Sequence, residues 1–259
     1  MTGDPVSHAV ATTVAVHRIE GWHPTDDHVD ALGALARGDL PFADFLATHR
    51  ARHPPPSPHR RKIRLRRPAP YLIPGTTLLR NEFGVTTADA LADLEYTASA
   101  GRMVGWLCAP TIEALDARVM HRHLFSDAYG WAGQYRAVEL RRGRDVFGSV
   151  SSIEDRMADV HGTAHRLVDE GAGRDAPRLA YELARWYADY NQIHPFREGN
   201  GRTGALMLLA IASMCGHRLD LTGITRHEWY AAAADSMPAR RDGRVSYRPF
   251  LYLLKGAVS

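Results

Sequence analysis

Residues 194–203 read His194-Pro195-Phe196-Arg197-Glu198-Gly199-Asn200-Gly201-Arg202-Thr203, and the rest of the chain is read outward from them. Upstream, Leu179, Leu183, Trp186, Tyr187 and Tyr190 recur every three or four residues between Arg178 and Ile193, the spacing of one helix face. Pro195 disfavours the α region for His194, so that helix ends there. Downstream, Arg202, Leu206, Leu209, Ile211 and Met214 predict a second helix. Between them two glycines flank Asn200. Such a turn can point successive backbone N–H groups into one concavity at the positive end of the second helix, an anion site suited to phosphate. His194 stands beside it as a group that can take a proton, Glu198 as a carboxylate that can hold Mg²⁺, and Arg202 as a guanidinium that can grip phosphate oxygens. The competing reading is a structural helix–turn–helix with a buried histidine and Asn200 as a cap.

With histidine, phenylalanine, acid, Gly-Asn-Gly and arginine at fixed offsets between two helices, the stretch resembles the signature of the Fic family, H-x-F-x-[D/E]-G-N-G-R-x-x-R. Every defined position agrees except the last, where Ala205 stands in place of arginine. The resemblance implies a mainly α fold, a Fic-type helical domain with a small β-hairpin flap. It implies an enzyme that transfers AMP from ATP, with Mg²⁺, to a hydroxyl side chain of a target protein. His194 would deprotonate that hydroxyl and Glu198 would hold the metal. Gly199, Asn200 and Gly201 would form the anion hole, and Arg202 would hold the β-phosphate region. Phe196, counted with this nucleotide loop, is expected to pack it onto the core; Arg197 and Thr203 carry no assigned role. Ala205 removes the family's γ-phosphate grip. That leaves open a different phosphate-containing donor, or a nucleotide-binding module without transfer.

Residues 1–50 predict a small helical unit: Ala9 to Glu20 ended by Gly21, a second helix capped at Thr25 or Asp26 and closed by Gly38, and a third after Pro41. Alone it is too small to bury much core, so it is expected to pack on something else. Ile19-Glu20-Gly21-Trp22-His23-Pro24-Thr25, followed by Leu32, Leu35, Arg37-Gly38-Asp39 and Phe42, resembles the VbhA-type antitoxins that clamp Fic proteins, with inhibitory signature [S/T]-x-x-x-E-[G/N]. Glu20 and Gly21 are retained; Val16 replaces the hydroxyl residue. The resemblance implies an intramolecular inhibitor whose Glu20 enters the nucleotide site. With Ala205 in place of its usual partner, Glu20 is expected to pair with Arg202. A helix that merely ends Glu-Gly is the plainer alternative.

Residues 51–70 read as a linker, first proline-rich from Arg52 to Pro58, then basic from His59 to Arg67. The basic run lacks interleaved aromatics for base stacking, so it reads as a solvated tether and nucleic acid is not expected as a partner. Residues 71–259 form the expected catalytic domain. It opens on a Pro74-Gly75 turn leading to a short helix near Leu78–Gly84, then helices at Thr87–Met103 and Thr111–Phe125. The aromatic run Tyr129–Tyr135 reads as core, with Arg136 facing the site. Arg136–Leu140 and Asp145–Phe147 read as strands around Arg141-Arg142-Gly143-Arg144. By resemblance, residues 136–148 are the flap that docks the target by strand addition. Further helices are expected at Ser151–Val168 with a serine cap, ended by Gly171-Ala172-Gly173, and at Arg226–Ser236 and Tyr247–Lys255.

Composition fits this picture. The 259 residues are 45% hydrophobic and 24% charged with formal net charge +3, ordinary for a soluble globular chain. Residues 1–10 carry Asp4 and no apolar signal segment, and the run Ala205–Cys215 is too short to span a bilayer, so a cytoplasmic protein without a membrane partner is expected. Cys108 and Cys215 read as reduced core residues and most of the fourteen histidines as surface or linker residues.

Overall fold

Helix ends in this protein are set by local side-chain chemistry, and the computed structural model describes them for residues 4–54, 70–109, 115–143, 145–170, 175–238 and 244–259. Helix α1 (Pro5–Glu20) begins where the Asp4 carboxylate accepts from the amides of Val6 and Ser7, and stops at Gly21, whose φ of 105° is left-handed. α2 (Asp26–Arg37) opens on a capping box between Thr25 and His28 and closes at Gly38; α3 (Phe42–Arg50) follows Pro41. α4 (Ala88–Cys108) is capped by Thr87 and α5 (Ala117–Phe125) by Asp116. A hairpin of β1 (Arg141–Arg142) and β2 (Asp145–Val146) pairs Arg141 with Val146 and Arg142 with Asp145. α6 (Ile153–Asp169), α7 (Ala176–Ile193), α8 (Asn200–Met214), α9 (Arg226–Asp235) and α10 (Arg248–Leu254) complete the chain.

α8 is the central element. Its residues from Arg202 to Ala212 are all buried, as expected of a helix apolar on every side. α1, α5, α6 and α7 pack around it, while α10 and α9 close over α7. Gly204 permits a close approach of α7: a Cβ there would stand 2.7 Å from the Tyr190 ring and 2.8 Å from the Tyr187 ring. The N-terminal helices do pack on the remainder. Val16 and Ile19 of α1 join the main core, while Ala9, Val10 and Val14 form a second cluster with Leu32, Phe45, Ala100 and Val104.

The structure departs from the sequence reading in several places. Among the described residues, strand pairing falls on Arg141-Arg142 and not on Arg136–Leu140, because the backbone there is spent on the Arg136 side chain and on Phe147, whose amide donates to the Leu140 carbonyl at 3.2 Å. Residues 78–84 form an isolated bridge, Leu72 with Leu79, and a turn in place of a short helix. Ser152 precedes α6 without a side-chain cap. Cys108 is exposed at the end of α4; only Cys215 is buried. His17, His28, His49 and His121 are buried rather than superficial. Most of the linker, Arg144 and the Gly171–Gly173 stop lie outside the described residues, as does the start of the helix expected from Thr111. No helix among the described residues is long and apolar enough to cross a membrane.

Two predictions follow from this packing. Gly204→Ala forces a methyl against two buried rings and costs about 1–3 kcal/mol, whereas Gly105→Ala, with open space around it, gains about 0.5–1 kcal/mol from lower chain entropy. Urea denaturation of the two variants checks both signs. Burial holds the imidazoles of His17 and His121 down to about 3, from an ordinary 6.5, and that of His49 to about 4. A depressed pKa stabilises the fold above the unfolded value and is lost as pH falls, so these three groups weaken the protein below about pH 6.5. Imidazole ¹⁵N signals of all three should stay in the neutral form from about pH 8 to about pH 5; titration of any one near its ordinary value would refute this.

Candidate active site

Pro195 and Arg136 together shape the motif loop. Pro195 excludes the right-handed α region from His194, which adopts φ 51° and ψ 61°; it is the one non-glycine residue with positive φ among the described residues. The His194 amide donates to the Tyr190 carbonyl at 2.9 Å. Arg136 is 2% exposed and donates to backbone oxygens of His194 (2.8 Å), Val138 (2.7 Å), Ile193 (3.1 Å) and Gly148. It therefore braces the loop from below instead of facing the site. The His194 ring stacks on Phe147 at 3.9 Å. Burial first, then the charges of Arg142 and Arg136, press its pKa down to about 3, with the Asn191 backbone acting weakly the other way. The imidazole is therefore neutral at physiological pH, the state a proton acceptor needs.

The following turn ends at Gly199, φ 79°, where a side chain would also strike the Phe125 ring. The Asn200 side chain clasps the loop: Oδ1 accepts from the Phe196 amide at 2.9 Å and Nδ2 donates to the Phe196 carbonyl at 2.8 Å. Thr203 N–H makes the first bond of α8, to the Gly199 carbonyl, so the amides of Asn200, Gly201 and Arg202 have no helical acceptor. Gly199 N–H is turned instead to Glu198 Oε1 at 3.1 Å. The Glu198 side chain is 42% exposed. Phe196 is fully buried, stacked on His121 at 4.0 Å, so it secures the loop and does not face a ligand.

Arg202 is placed differently from its sequence reading. It is 2% exposed, its Nη2 bonds the Glu95 carboxylate, and Nη1 donates to Ser99 Oγ at 3.0 Å. Its guanidinium lies 4.7 Å from the ring centroids of both Tyr96 and Phe125. Burial opposes its charge, but Glu95, Tyr96, Glu198 and Glu20 outweigh burial and keep it protonated. The network continues: Tyr129 OH donates to Glu95, and His17 Nε2 meets Ser99 Oγ at 3.1 Å. Glu95 was not singled out from the sequence. Its signal was there, a carboxylate four residues after Leu91 and next to Leu94 on the apolar face of α4.

Glu20, the last residue of α1, enters this site. A Cβ on Gly201 would stand 2.1 Å from its Oε1 and 2.7 Å from its Oε2, so the carboxylate rests directly on the first turn of α8. Burial raises its pKa, Glu198 adds to this, and Arg202, Arg226 and Arg142 counteract it. Glu20 does not form the expected pair with Arg202, whose acidic partners within 4.0 Å are Glu95 and Glu198. The backbone of α1 is fastened beside it: Tyr96 OH donates to the Glu20 carbonyl at 2.8 Å and Arg226 Nη1 to the Ile19 carbonyl at 3.1 Å. A Cβ on Gly21 would lie 2.5 Å from Arg226 Nη1 and would displace that guanidinium, and its φ of 105° disfavours any side chain there.

The cavity between these groups measures about 130 Å³ and is lined by Glu20, Arg142, His194, Glu198, Gly201 and Tyr230 among others. That is below the roughly 300 Å³ of a small-ligand pocket. A larger cleft of about 430 Å³ runs between α6 and α7, but its arginines and acids oppose one another and the motif loop does not reach it. Among the described residues, no three His, Cys, Asp or Glu side chains are arranged to hold a metal unaided. A lone carboxylate such as Glu198 fits Mg²⁺, which commonly takes one or two carboxylates together with substrate phosphates.

The family model for the Fic/DOC family matches residues 111–212. The chain is 30% identical over 166 residues to a protein of Escherichia coli strain K12 called "Probable protein adenylyltransferase Fic", covering 63% of this chain and 82% of that one. It is 34% identical over 158 residues to "Probable protein adenylyltransferase y4lH" of Sinorhizobium fredii, covering 58% and 79%. In fold it is similar to the BepC protein of Bartonella tribocorum, solved with bound AMPPNP, with a TM-score of 0.65 at 21% identity over 73% of this chain and 96% of that one. Motif geometry, sequence relatives and fold agree: the chain belongs to the Fic/DOC family.

Proposed function

We propose that this protein transfers AMP from ATP to a hydroxyl side chain of a target protein, and that its own N-terminal helix holds the site shut. The observation that carries the reading is a neutral His194 imidazole beside the uncapped first turn of α8, with the Glu20 carboxylate resting on that turn. In the reaction, His194 takes the proton of the target hydroxyl. The oxygen bonds to the α-phosphorus of ATP, the bond from that phosphorus to the bridging oxygen breaks, and diphosphate leaves. The amides at the start of α8 steady the added negative charge. Glu198 would hold Mg²⁺, which supplies positive charge to the phosphates when bound. The exposed hairpin β1–β2 offers a short edge on which a target segment can align by strand addition.

Closure follows from the same geometry. A cavity of about 130 Å³ does not admit a nucleoside triphosphate, and the carboxylate sits where phosphate negative charge must come. Because the inhibitor is part of the chain, its effective concentration is high and the resting state is largely off. Val16, which replaces the hydroxyl of the inhibitory signature, is 1% exposed in the core, so inhibition rests on Glu20 alone. Ala205 and the engagement of Arg202 by Glu95 support a second reading, in which another phosphate-containing donor is used or nucleotide is bound without transfer.

Intact-mass spectrometry of wild type, Glu20→Gly, and Glu20→Gly with His194→Ala, each with ATP and Mg²⁺, alone and in cell lysate, separates these. We expect AMP addition by Glu20→Gly and a loss of about 100-fold or more when His194 is also removed. Equal labelling by wild type and Glu20→Gly would sink the clamp, and ATP binding without any covalent label would favour the second reading.

A further inference from the structure

Of the two arginines that the motif brings to the site, Arg197 lines the cavity and acts on Glu198, while Arg202 is already engaged. Arg202 is given over to Glu95 and Ser99, and position 205 is an alanine 4% exposed in the core. Yet the Glu20 carboxylate on Gly201 also feels two guanidiniums from outside the motif, Arg226 of α9 and Arg142 of β1. Arg226 is the first residue of α9, held in place by the Thr225–Glu228 capping box, in which the Thr225 amide donates to Glu228 at 2.9 Å. Its guanidinium lies 4.4 Å from the centroid of Tyr230, a residue of the cavity wall. Arg142 lies over the same ring at 5.5 Å and 5.8 Å from the centroid of Phe147, the ring on which His194 stacks. Neither arginine has a carboxylate within 4.0 Å among the described residues. A guanidinium carries five N–H donors, and Arg226 is seen to spend one, on the Ile19 carbonyl.

We propose that Arg226 binds the outer phosphates of the nucleotide donor, supplying from α9 the guanidinium that α8 lacks, while in the resting chain it fastens the end of α1. This rests on the transferase reading above. The Glu20 carboxylate marks where an anionic group sits against the first turn of α8, and the cation that favours one anion there favours another. Clamp and donor then compete for one cation.

The test is isothermal titration calorimetry on the full chain carrying Glu20→Gly, alone and combined with Arg226→Ala or Arg226→Gln, against Mg²⁺–ATP and against AMP. Loss of a charge-assisted contact lowers ATP affinity about tenfold or more, with AMP affinity changed less than about twofold. Glutamine keeps the aliphatic stem and an N–H donor without the charge, so the same loss in Arg226→Gln assigns it to the guanidinium charge and not to packing of the stem. ATP bound as tightly by both variants as by the Glu20→Gly parent overturns the proposal, and so does an equal loss for AMP. A Glu20→Gly parent that binds no ATP removes the transferase reading and this inference with it. A parent that binds ATP, matched by both Arg226 variants, removes this inference alone.

Discussion

A buried helix whose first amides have no acceptor needs negative charge beside them, and α8 is such a helix. Its body fills the centre of the core, so it cannot shift to expose its start to water, and Asn200, Gly201 and Arg202 open the helix without helical partners. Most of the site serves this turn. Glu198 covers the Gly199 amide, and Glu20 is laid on Gly201. An anionic substrate would satisfy the same need, so the proposed resting and working states are two solutions to one electrostatic constraint.

Three residues away from the reacting atoms hold that turn in register. Arg136 ties the backbone oxygens of Ile193 and His194 to those of Val138 and Gly148, coupling the hairpin to the motif loop. Glu95 binds Arg202 from α4, and Ser99, one turn further along the same helix, joins Arg202 to His17 of α1. A buried ion pair gives up hydration, so the Glu95–Arg202 pair is better read as fixing geometry than as a large source of stability. It orients α8 against α4, and α4 also presents Tyr96 to the Glu20 carbonyl. The end of α1 and the site it borders are referenced to one helix.

Local signals were legible in the sequence where the chemistry is local. Pro195, the Gly199–Gly201 turn and the apolar spacing of α7 and α8 set the loop, and Gly21 and Gly38 set the ends of α1 and α2. What spacing along the chain does not encode is which polar group meets which across the fold. His17, His49 and His121 are ordinary polar letters until helices from elsewhere bury them. Arg202 looks free beside its neighbours in sequence, and only the approach of α4 engages it. Arg226 belongs to a separate helix and nothing in its surroundings marks it. The Arg141–Arg142 pair has the composition of a turn yet forms the exposed strand, because an edge strand has no apolar face to declare it.

The way α1 enters the core bears on how the proposed clamp would open. Val16 and Ile19, 1% and 4% exposed, are part of the main cluster, and burial of such side chains is worth about 1.5–3 kcal/mol each. Lifting α1 away as a body would forfeit both, together with the His17–Ser99 contact and the cluster around Trp22 and Leu32. Swinging the Glu20 side chain leaves these contacts in place, and loosening the residues at Gly21 gives up the Tyr96 and Arg226 bonds to the final carbonyls and the bonds of the Gly21 and Trp22 amides to Arg18 and His17. The lower-energy path is therefore a local change at the end of α1 with the body of the helix in place. A helix that is part of the core and carries the Glu20 carboxylate at its tip would stay folded in both proposed states while only its last residues move.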